Sequence, residues 1–393
     1  MYKPTVLSAA LMGIIAVPTS AEVQTEVPAH GSKNCHNIRV PVTVDTTILQ
    51  FNYKPSDQEI DTTNLWLNAV RHGNDLTKLV SNPNFHVKKD YTLAATICHP
   101  ASGPSSTLQV LTHGLGFDRS YWDYPFANFN YSYVARAVDA GYSTLSWDRL
   151  GIADSSHGDP VNEIQLALEV EALHQLTVTA AAGHLCGFEG LKFKKIVHIG
   201  HSFGSVMTYA LSSQYPSIAD AIVLTGFSQV PNYTGLFVLG SNFAPVAAVS
   251  NKLEKVYSTG YVVPKSSIGV QMDFFSPGDF DPKMLADVTA HGQPAAIGEL
   301  LTIGGGAVAP SNFTGAVQII NGEHDLPFCG GNCKQVEIPG SNASDILQVS
   351  KPMFKSAKVF ETSIVTGAGH GLNLGFSHTE AYKNIMDFLK RAL

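Results

Sequence analysis

The sequence predicts an α/β protein in which helices cover both faces of a mostly parallel sheet. Short apolar runs recur along the chain, and most are separated by longer segments with helical spacing, which is the pattern of such a sheet. These runs are residues 108–112, 143–147, 195–200, 221–225, 316–321 and 359–365. The clearest helix is predicted at 161–180, with an apolar face that excludes Glu169 and Glu171.

The sequence also predicts the first strands, the last helix and a long insertion. Alternating polar and apolar residues at 38–51 and 91–99 indicate two strands that open the sheet, with a helical insertion at 63–80 between them. Residues 379–393 are predicted to form the last helix. Residues 231–311 lie between two candidate strands and are rich in Gly, Phe and Pro. Because a structureless loop of that length is improbable in a compact domain, we expect an inserted cap.

Composition limits the classes of function. The chain has 393 residues, 25 Lys and Arg against 32 Asp and Glu, a formal net charge of −7 and 44% hydrophobic residues. This is enough apolar material for a large core and excludes general disorder. Nucleic acid is not an expected partner, because its binding depends on clusters of basic residues that this sequence lacks.

The first residues are typical of a signal peptide. An apolar run at 6–17 is followed by Thr19-Ser20-Ala21, a small-residue cleavage site. A membrane anchor is the alternative, but the run is shorter than the ~20 residues that span a bilayer. We therefore expect a secreted chain without a membrane span. The expected organisation is a signal peptide at 1–21, an N-terminal strand and helical insertion at 22–89, a core at 90–230 and 312–393, and a cap at 231–311.

The five cysteines are expected to form disulfides in an oxidising compartment, and their odd number leaves one unpaired. Cys329 and Cys333 are the best candidates, since a Gly-Gly-Asn turn separates them. Cys35 and Cys98 lie at the ends of two candidate strands, which leaves Cys186 over. No second Cys/His pair completes a zinc site, so no metal is expected. Sequons for N-glycosylation occur at Asn130, Asn232, Asn312 and Asn342.

A candidate nucleophile follows the strand 195–200. The sequence Gly200-His201-Ser202-Phe203-Gly204 has the G-x-S-x-G pattern between a strand and a helix-compatible segment. The chain is crowded where a strand turns directly into a helix, and glycines permit that approach while Ser202 is raised above the sheet edge. A chance pentapeptide is the alternative, which the strand and helix context disfavours.

A serine nucleophile needs a base, and the base needs a carboxylate. His370 lies in the glycine-lined loop Gly367-Ala368-Gly369-His370-Gly371, and His378 is the alternative. The acid is expected at Asp325, which follows the strand 316–321, with Glu323 as the alternative. We prefer His370 because its glycine-lined loop follows a strand, whereas His378 is expected to belong to the start of the final helix. We prefer Asp325 because it lies farther from the strand end than Glu323.

The oxyanion formed in acyl transfer requires hydrogen-bond donors. After the strand 108–112 the chain reads His113-Gly114-Leu115-Gly116, and we expect the N–H groups of Leu115 and Phe203 to serve as donors. His113 is expected to be a structural loop residue. Asp148 and Arg149 are expected to form a pair that stabilises their loop, with a substrate contact as the alternative.

Together these motifs resemble the α/β-hydrolase superfamily, in its cap-bearing branch with a serine nucleophile. The resemblance covers about residues 90–393. It rests on His-Gly-Leu-Gly from 113, Asp-Arg-Leu-Gly from 148, Gly-His-Ser-Phe-Gly from 200, Asn-Gly-Glu-His-Asp from 321 and Gly-Ala-Gly-His from 367. It implies an α/β-hydrolase fold with the cap between the sixth and seventh core strands, and it places the nucleophile, acid and base at Ser202, Asp325 and His370.

The expected function is therefore a secreted serine hydrolase that needs no metal or organic cofactor. The expected partner is a small ester-type substrate with an apolar acyl or aromatic portion, and the oligomeric state is left open. This expectation uses the cap phenylalanines, which could instead pack the cap itself: Phe237, Phe243, Phe274, Phe275 and Phe280. Thioesterase, lactonase and acyltransferase activities, or a non-catalytic binding protein of the same fold, are the alternatives.

Overall fold

The computed structural model describes residues 33–307 and 309–393, so the predicted signal peptide at 1–21 lies outside the described residues. Its strands are β1 Lys33–Phe51, β2 Val80–Pro100, β3 Thr107–Thr112, β4 Ser143–Trp147, β5 Lys195–His201, β6 Ala221–Thr225, β7 Phe243–Pro245, β8 Tyr261–Pro264, β9 Ala295–Ala296, β10 Ala316–Gly322 and β11 Val359–Val365. Eight of them form one sheet in the order β1-β2-β4-β3-β5-β6-β10-β11. β2 is antiparallel to β1 and β4, and the other neighbours are parallel.

Helices connect these strands. They are α1 Glu59–Val70, α2 Phe126–Phe129, α3 Tyr133–Asp139, α4 Leu166–Ala182, α5 Phe203–Gln214, α6 Thr234–Ser241, α7 Val246–Val249, α8 Ser267–Phe274, α9 Pro282–His291, α10 Ile297–Thr302, α11 Leu326–Cys329 and α12 His378–Ala392. Short 3-10 helices occupy Leu76–Leu79, Arg119–Asp123, Pro231–Tyr233, Leu253–Lys255, Ile303–Gly305 and Leu347–Phe354. The predicted α/β class is confirmed.

The first hairpin differs from the prediction. α1 ends at Val70, and β2 begins at Val80, so the expected helix at 63–80 is wrong in its bounds. Residues 80–90 pair with β1 but are mostly exposed. An exposed two-stranded ribbon buries no regular face, and for this reason the sequence there lacks the apolar alternation that indicates a strand.

Helix α4 begins later than predicted, at Leu166 rather than 161. The Asp159 carboxylate accepts the N–H groups of Val161 and Asn162 and holds that stretch in a turn. The expectation that Glu169 and Glu171 lie off the buried face is also wrong, since both are buried. They are tolerated there because each has hydrogen-bonding partners: Arg149 for Glu169, and Tyr215 and Gln175 for Glu171.

The segment between the sixth and seventh strands of the main sheet forms a cap. It contains α6 to α10 and a second sheet in the order β7-β8-β9. Helix α1, from the N-terminal insertion, packs against β7 and α6. The rings of Trp66 in α1 and Phe243 in β7 lie 6.1 Å apart. The insertion for which the sequence offered no role therefore supports the cap.

Both predicted disulfides are present. Cys35 and Cys98 occupy paired positions on β1 and β2, and Cys329 is joined to Cys333. Cys186 is the free cysteine in the described part of the chain. The four sequon asparagines are all exposed: Asn130, Asn232, Asn312 and Asn342. In the described ranges no helix is both long and apolar enough to cross a membrane.

Candidate active site

Ser202 occupies the sharp turn between β5 and α5. Its φ of 55° and ψ of −118° are a strained combination for a residue with a side chain, and its N–H donates to the Thr225 carbonyl at 2.9 Å. The crowding is severe: a Cβ on Gly200 would lie 2.3 Å from the Gly204 oxygen, and one on Gly204 would lie 2.3 Å from the Thr112 oxygen. The two glycines let β3, β5 and α5 meet closely enough to fix the strained serine.

Asp325 and His370 meet at the same edge of the sheet. Asp325 caps α11 after β10, and His370 lies in the loop after β11. Asp325 Oδ2 lies 2.8 Å from His370 Nδ1, and the carboxylate also accepts from Asn321 Nδ2 and from the Phe328 N–H. Because an ionised carboxylate can only accept, the imidazole proton lies on Nδ1, and Nε2 keeps its lone pair.

The imidazole of His370 is enclosed by aromatic rings. Those of Phe274 in the cap and Phe328 in α11 lie 5.8 and 5.6 Å from it. His201, which precedes Ser202, lies 4.8 Å from it. Nε2 has no hydrogen-bond partner within the ranges that the structure describes. The structure therefore joins His370 to Asp325 but shows no hydrogen bond between Nε2 and Ser202. A buried nitrogen with a free lone pair is suited to accept a proton.

Two backbone N–H groups lie near Ser202. A Cβ on Gly114 would lie 2.9 Å from Ser202 Cβ, so the loop that carries Leu115 contacts the nucleophile turn directly. Phe203 is the first residue of α5, and the first N–H groups of a helix have no acceptor within that helix. The loop after β3 and the first turn of α5 thus both border Ser202.

The family model described as the alpha/beta hydrolase family matches residues 109–382. The chain belongs to the alpha/beta hydrolase family. The match spans β3 to α12 and includes Ser202, Asp325 and His370. No match was found among curated proteins.

Solved structures of low sequence identity share the alpha/beta hydrolase fold. A thermophilic esterase from Thermogutta terrifontis is 13% identical, with 77% of this chain and 94% of that chain covered and a TM-score of 0.51. A bromoperoxidase from Bacillus anthracis is 17% identical, with coverage of 77% and 96% and a TM-score of 0.50. At such identities the likeness concerns the fold.

The alternative acid and base residues are engaged elsewhere. Glu323 pairs with Lys334 at 2.8 Å and accepts the Gly367 N–H. His378 is the first residue of α12, and its ring nitrogens contact the carbonyl oxygens of Gly375 and Asn130. The structure therefore brings Asp325, and not Glu323, to His370.

The expected pair of Asp148 and Arg149 is wrong. Asp148 pairs with Arg119, whereas Arg149 pairs with Glu169 and Glu299. Asp148 and Arg149 are adjacent at the end of β4, so their side chains point to opposite sides of the chain and contact different partners. Glu299 belongs to α10 of the cap and is fully buried.

His201 and Tyr121 are site residues that sequence reasoning missed. Their rings stack 4.5 Å apart at 12°, and His201 Nδ1 lies 3.1 Å from Thr225 Oγ1. Burial, reinforced by His370 and His113, holds the pKa of His201 well below its usual value, so this imidazole is neutral beside the candidate base. Its place within G-x-S-x-G was the only available signal.

A cavity of about 310 Å³ lies between the cap and the loop after β3. Its lining includes Gly116 and Phe117, which follow Leu115, and Phe274, which contacts His370. The remaining wall combines aliphatic residues with polar ones: Val249, Leu253, Val263, Pro264, Val270 and Val288 against Ser250, Lys265, Ser266, Thr289 and Gln293. Of the cap phenylalanines, Phe237 packs against Phe243 and Phe275 against Phe280. Of the five rings only Phe274 lies in the cavity lining within the described structure, and the apolar substrate stays a prediction.

The buried Asp148 generates a pH-dependent prediction. Burial outweighs Arg119 and raises its pKa to about 6. The folded protein then keeps a proton that the unfolded chain loses above about pH 4, so Asp148 should lower stability as the pH rises from 4 to 6. Asp148→Asn cannot titrate. The free energy of unfolding of wild type minus that of the variant should therefore fall by roughly 2 to 3 kcal/mol over this range.

Denaturant titrations of both proteins at several pH values measure that difference. A difference that grows with pH would contradict the prediction, because it would mean that the Arg119 pair lowers the pKa of Asp148 more than burial raises it.

Proposed function

We propose that this alpha/beta hydrolase is a serine esterase that cleaves carboxylic esters with an apolar acyl or aromatic portion. The observation that supports this most directly is the buried bond of 2.8 Å between Asp325 and His370, which leaves Nε2 free beside the Ser202 turn. A carboxylate, an imidazole and a serine at one sheet edge are the groups that acyl transfer requires.

Each of these residues has a separate role in the proposed reaction. Ser202 Oγ attacks the ester carbonyl while His370 Nε2 takes its proton, and Asp325 stabilises the imidazolium. The negative charge on the carbonyl oxygen is held by the N–H groups of Leu115 and Phe203. His370 then protonates the leaving alcohol, and an acyl group remains on Ser202. Water, activated by His370, releases the acid.

The type of nucleophile favours acyl transfer over other reactions of this fold. The turn carries a serine and not a carboxylate, so attack on an epoxide or haloalkane through an ester of an aspartate is disfavoured. Thioesters, lactones and acyl transfer to an alcohol use the same groups, and a substrate panel separates them from ester hydrolysis. The aliphatic side chains in the lining of the cap cavity, among them Val263, Val270 and Val288, support an apolar substrate group.

Ser202→Ala and Asp325→Asn test the proposed chemistry. A fluorophosphonate probe should label wild type at Ser202 and should fail to label Ser202→Ala. Asp325→Asn keeps the shape of the side chain but loses the charge that fixes the tautomer, so kcat for p-nitrophenyl esters should fall by about 10⁴. Mass spectrometry of the labelled peptide and steady-state rates are the measurements. A folded wild type that is not labelled would favour a non-catalytic binding protein.

Val288→Phe tests the role of the cavity. Val288 is 3% exposed and lines the cavity, so a larger ring there should shorten the space for an acyl chain. On p-nitrophenyl esters of graded length, the variant should prefer shorter chains, with kcat/KM for the longest good substrate reduced by about tenfold or more. The matched control is Val178→Phe on the exposed side of α4. Unchanged chain-length preference in Val288→Phe would place the acyl chain elsewhere.

We infer that the protein is secreted and glycosylated. The two disulfides, the exposed sequon asparagines and the signal-like sequence at 1–21 support this. Intact-mass analysis of protein from a eukaryotic culture medium, before and after removal of N-glycans, should show cleavage near Ala21 and a loss of mass on deglycosylation. Retention inside the cell with residues 1–21 attached would contradict the inference.

A further inference from the structure

Three charged side chains are buried together next to the candidate site. Arg149, Glu169 and Glu299 are each 0% exposed. They come from three elements: the end of β4, helix α4 and helix α10 of the cap. Arg149 Nη1 donates to Glu169 Oε2 at 2.8 Å and also to Glu299 Oε1. The proposed reaction assigns no role to any of them.

The same guanidinium contacts the loop that carries the oxyanion donor. Arg149 Nη2 donates to the Gly114 carbonyl at 3.5 Å, and the guanidinium carbon lies 4.8 Å from the centre of the Phe203 ring. Arg149 therefore touches both segments from which the oxyanion N–H groups come.

His113 fixes the same carbonyl from another direction. The backbone N–H of Arg149 donates to His113 Nε2 at 3.1 Å. The imidazole proton therefore lies on Nδ1, which donates to the Gly114 oxygen at 2.9 Å. Burial, assisted by Arg149, lowers the pKa of His113 well below its usual value, which keeps the ring in this neutral form.

Holding the Gly114 oxygen also aims the Leu115 N–H. The two belong to one peptide group, which is planar and trans, so its C=O and N–H point in opposite directions. With the oxygen fixed by Arg149 and His113, the Leu115 N–H points away from them. An oxyanion donor that is already aimed costs no reorganisation when the tetrahedral intermediate forms.

The cap holds Arg149 through Glu299. One Glu299 oxygen accepts from the guanidinium, and the other accepts the Ala296 N–H at 2.6 Å, at the start of α10. Burial raises the pKa of Glu169 well above its usual value, which weakens Glu169 as a counter-charge for Arg149. Loss of the Glu299 charge would therefore leave the buried guanidinium poorly balanced.

We propose that Arg149 is a positioning residue for the oxyanion hole and that its ion pair with Glu299 makes the hole depend on the seated cap. This inference rests on the proposed function. By this inference the cap affects the rate of the reaction as well as substrate binding. Glu299 holds Arg149, Arg149 holds the Gly114 carbonyl, and that carbonyl sets the direction of the Leu115 N–H.

Glu299→Gln and Arg149→Lys test the proposal on the full chain. Glu299→Gln keeps the shape but removes the charge, and Arg149→Lys removes the planar fork that reaches two carboxyl groups and a carbonyl at once. The matched control is Glu171→Gln, which alters a buried glutamate of α4 that does not contact Arg149 in the described structure. The measurements are kcat and KM for a p-nitrophenyl ester, Ki for an alkylboronic acid, and the thermal midpoint.

In both variants kcat should fall by about 10- to 100-fold while KM changes by less than about threefold, since the interaction is lost mainly in the transition state. The boronic acid bonds to Ser202 Oγ as a tetrahedral adduct with an oxygen in the hole, so its Ki should rise in parallel with the loss of kcat. Glu171→Gln should keep wild-type values of kcat and Ki whatever its thermal midpoint.

Variants that keep kcat and Ki within threefold of Glu171→Gln would overturn the proposal and make the cluster purely structural. A change in KM alone would also overturn it. If Arg149→Lys does not fold, Glu299→Gln decides, because it preserves the volume of the side chain. A wild type that neither hydrolyses esters nor reacts with fluorophosphonate would instead refute the proposed function, which separates the two failures.

Discussion

The hydrogen bond between His370 and Asp325 is the interaction on which the candidate site depends. Both side chains are fully buried, so no solvent stabilises the carboxylate. Asn321 Nδ2 and the Phe328 N–H replace that solvent. These partners come from β10 and α11, and β10 pairs in register with β11, which leads to His370. The position of the imidazole is therefore determined by the pairing of two strands.

The sequence predicted the parts of the fold that are buried on both sides. Strands β3, β4 and β6 are buried at every residue, and none of them contains a charged residue. The candidate site residues could be predicted for a related reason: Ser202 and Asp325 follow the buried strands β5 and β10, and His370 follows the edge strand β11 that pairs with β10. A parallel sheet brings these ends to one edge, so strand positions alone indicated which side chains could meet.

The contacts that sequence reasoning could not find join segments distant in the chain. Glu169 and Glu299 lie 0% exposed, although a glutamate on a helix ordinarily indicates a solvent-facing position. The guanidinium of Arg149 is the charged partner that both carboxyl groups share, and no local pattern marks such a partner. The packing of Trp66 in α1 against Phe243 in β7 is of the same kind, because each residue alone suggests only an apolar contact.

In the proposed reaction, the cap therefore supports the catalytic groups in addition to covering them. The Gly371 N–H donates to the carbonyl of Phe274 in α8 at 2.8 Å, and the Phe274 ring contacts His370. Through Glu299 and Arg149, α10 reaches the loop of Leu115. The proposed base, His370, is thus contacted by α8, and the loop of the proposed oxyanion donor, Leu115, is linked to α10. Because the same cap also surrounds the apolar cavity, changes in its packing should alter the geometry of the reaction together with the fit of the substrate.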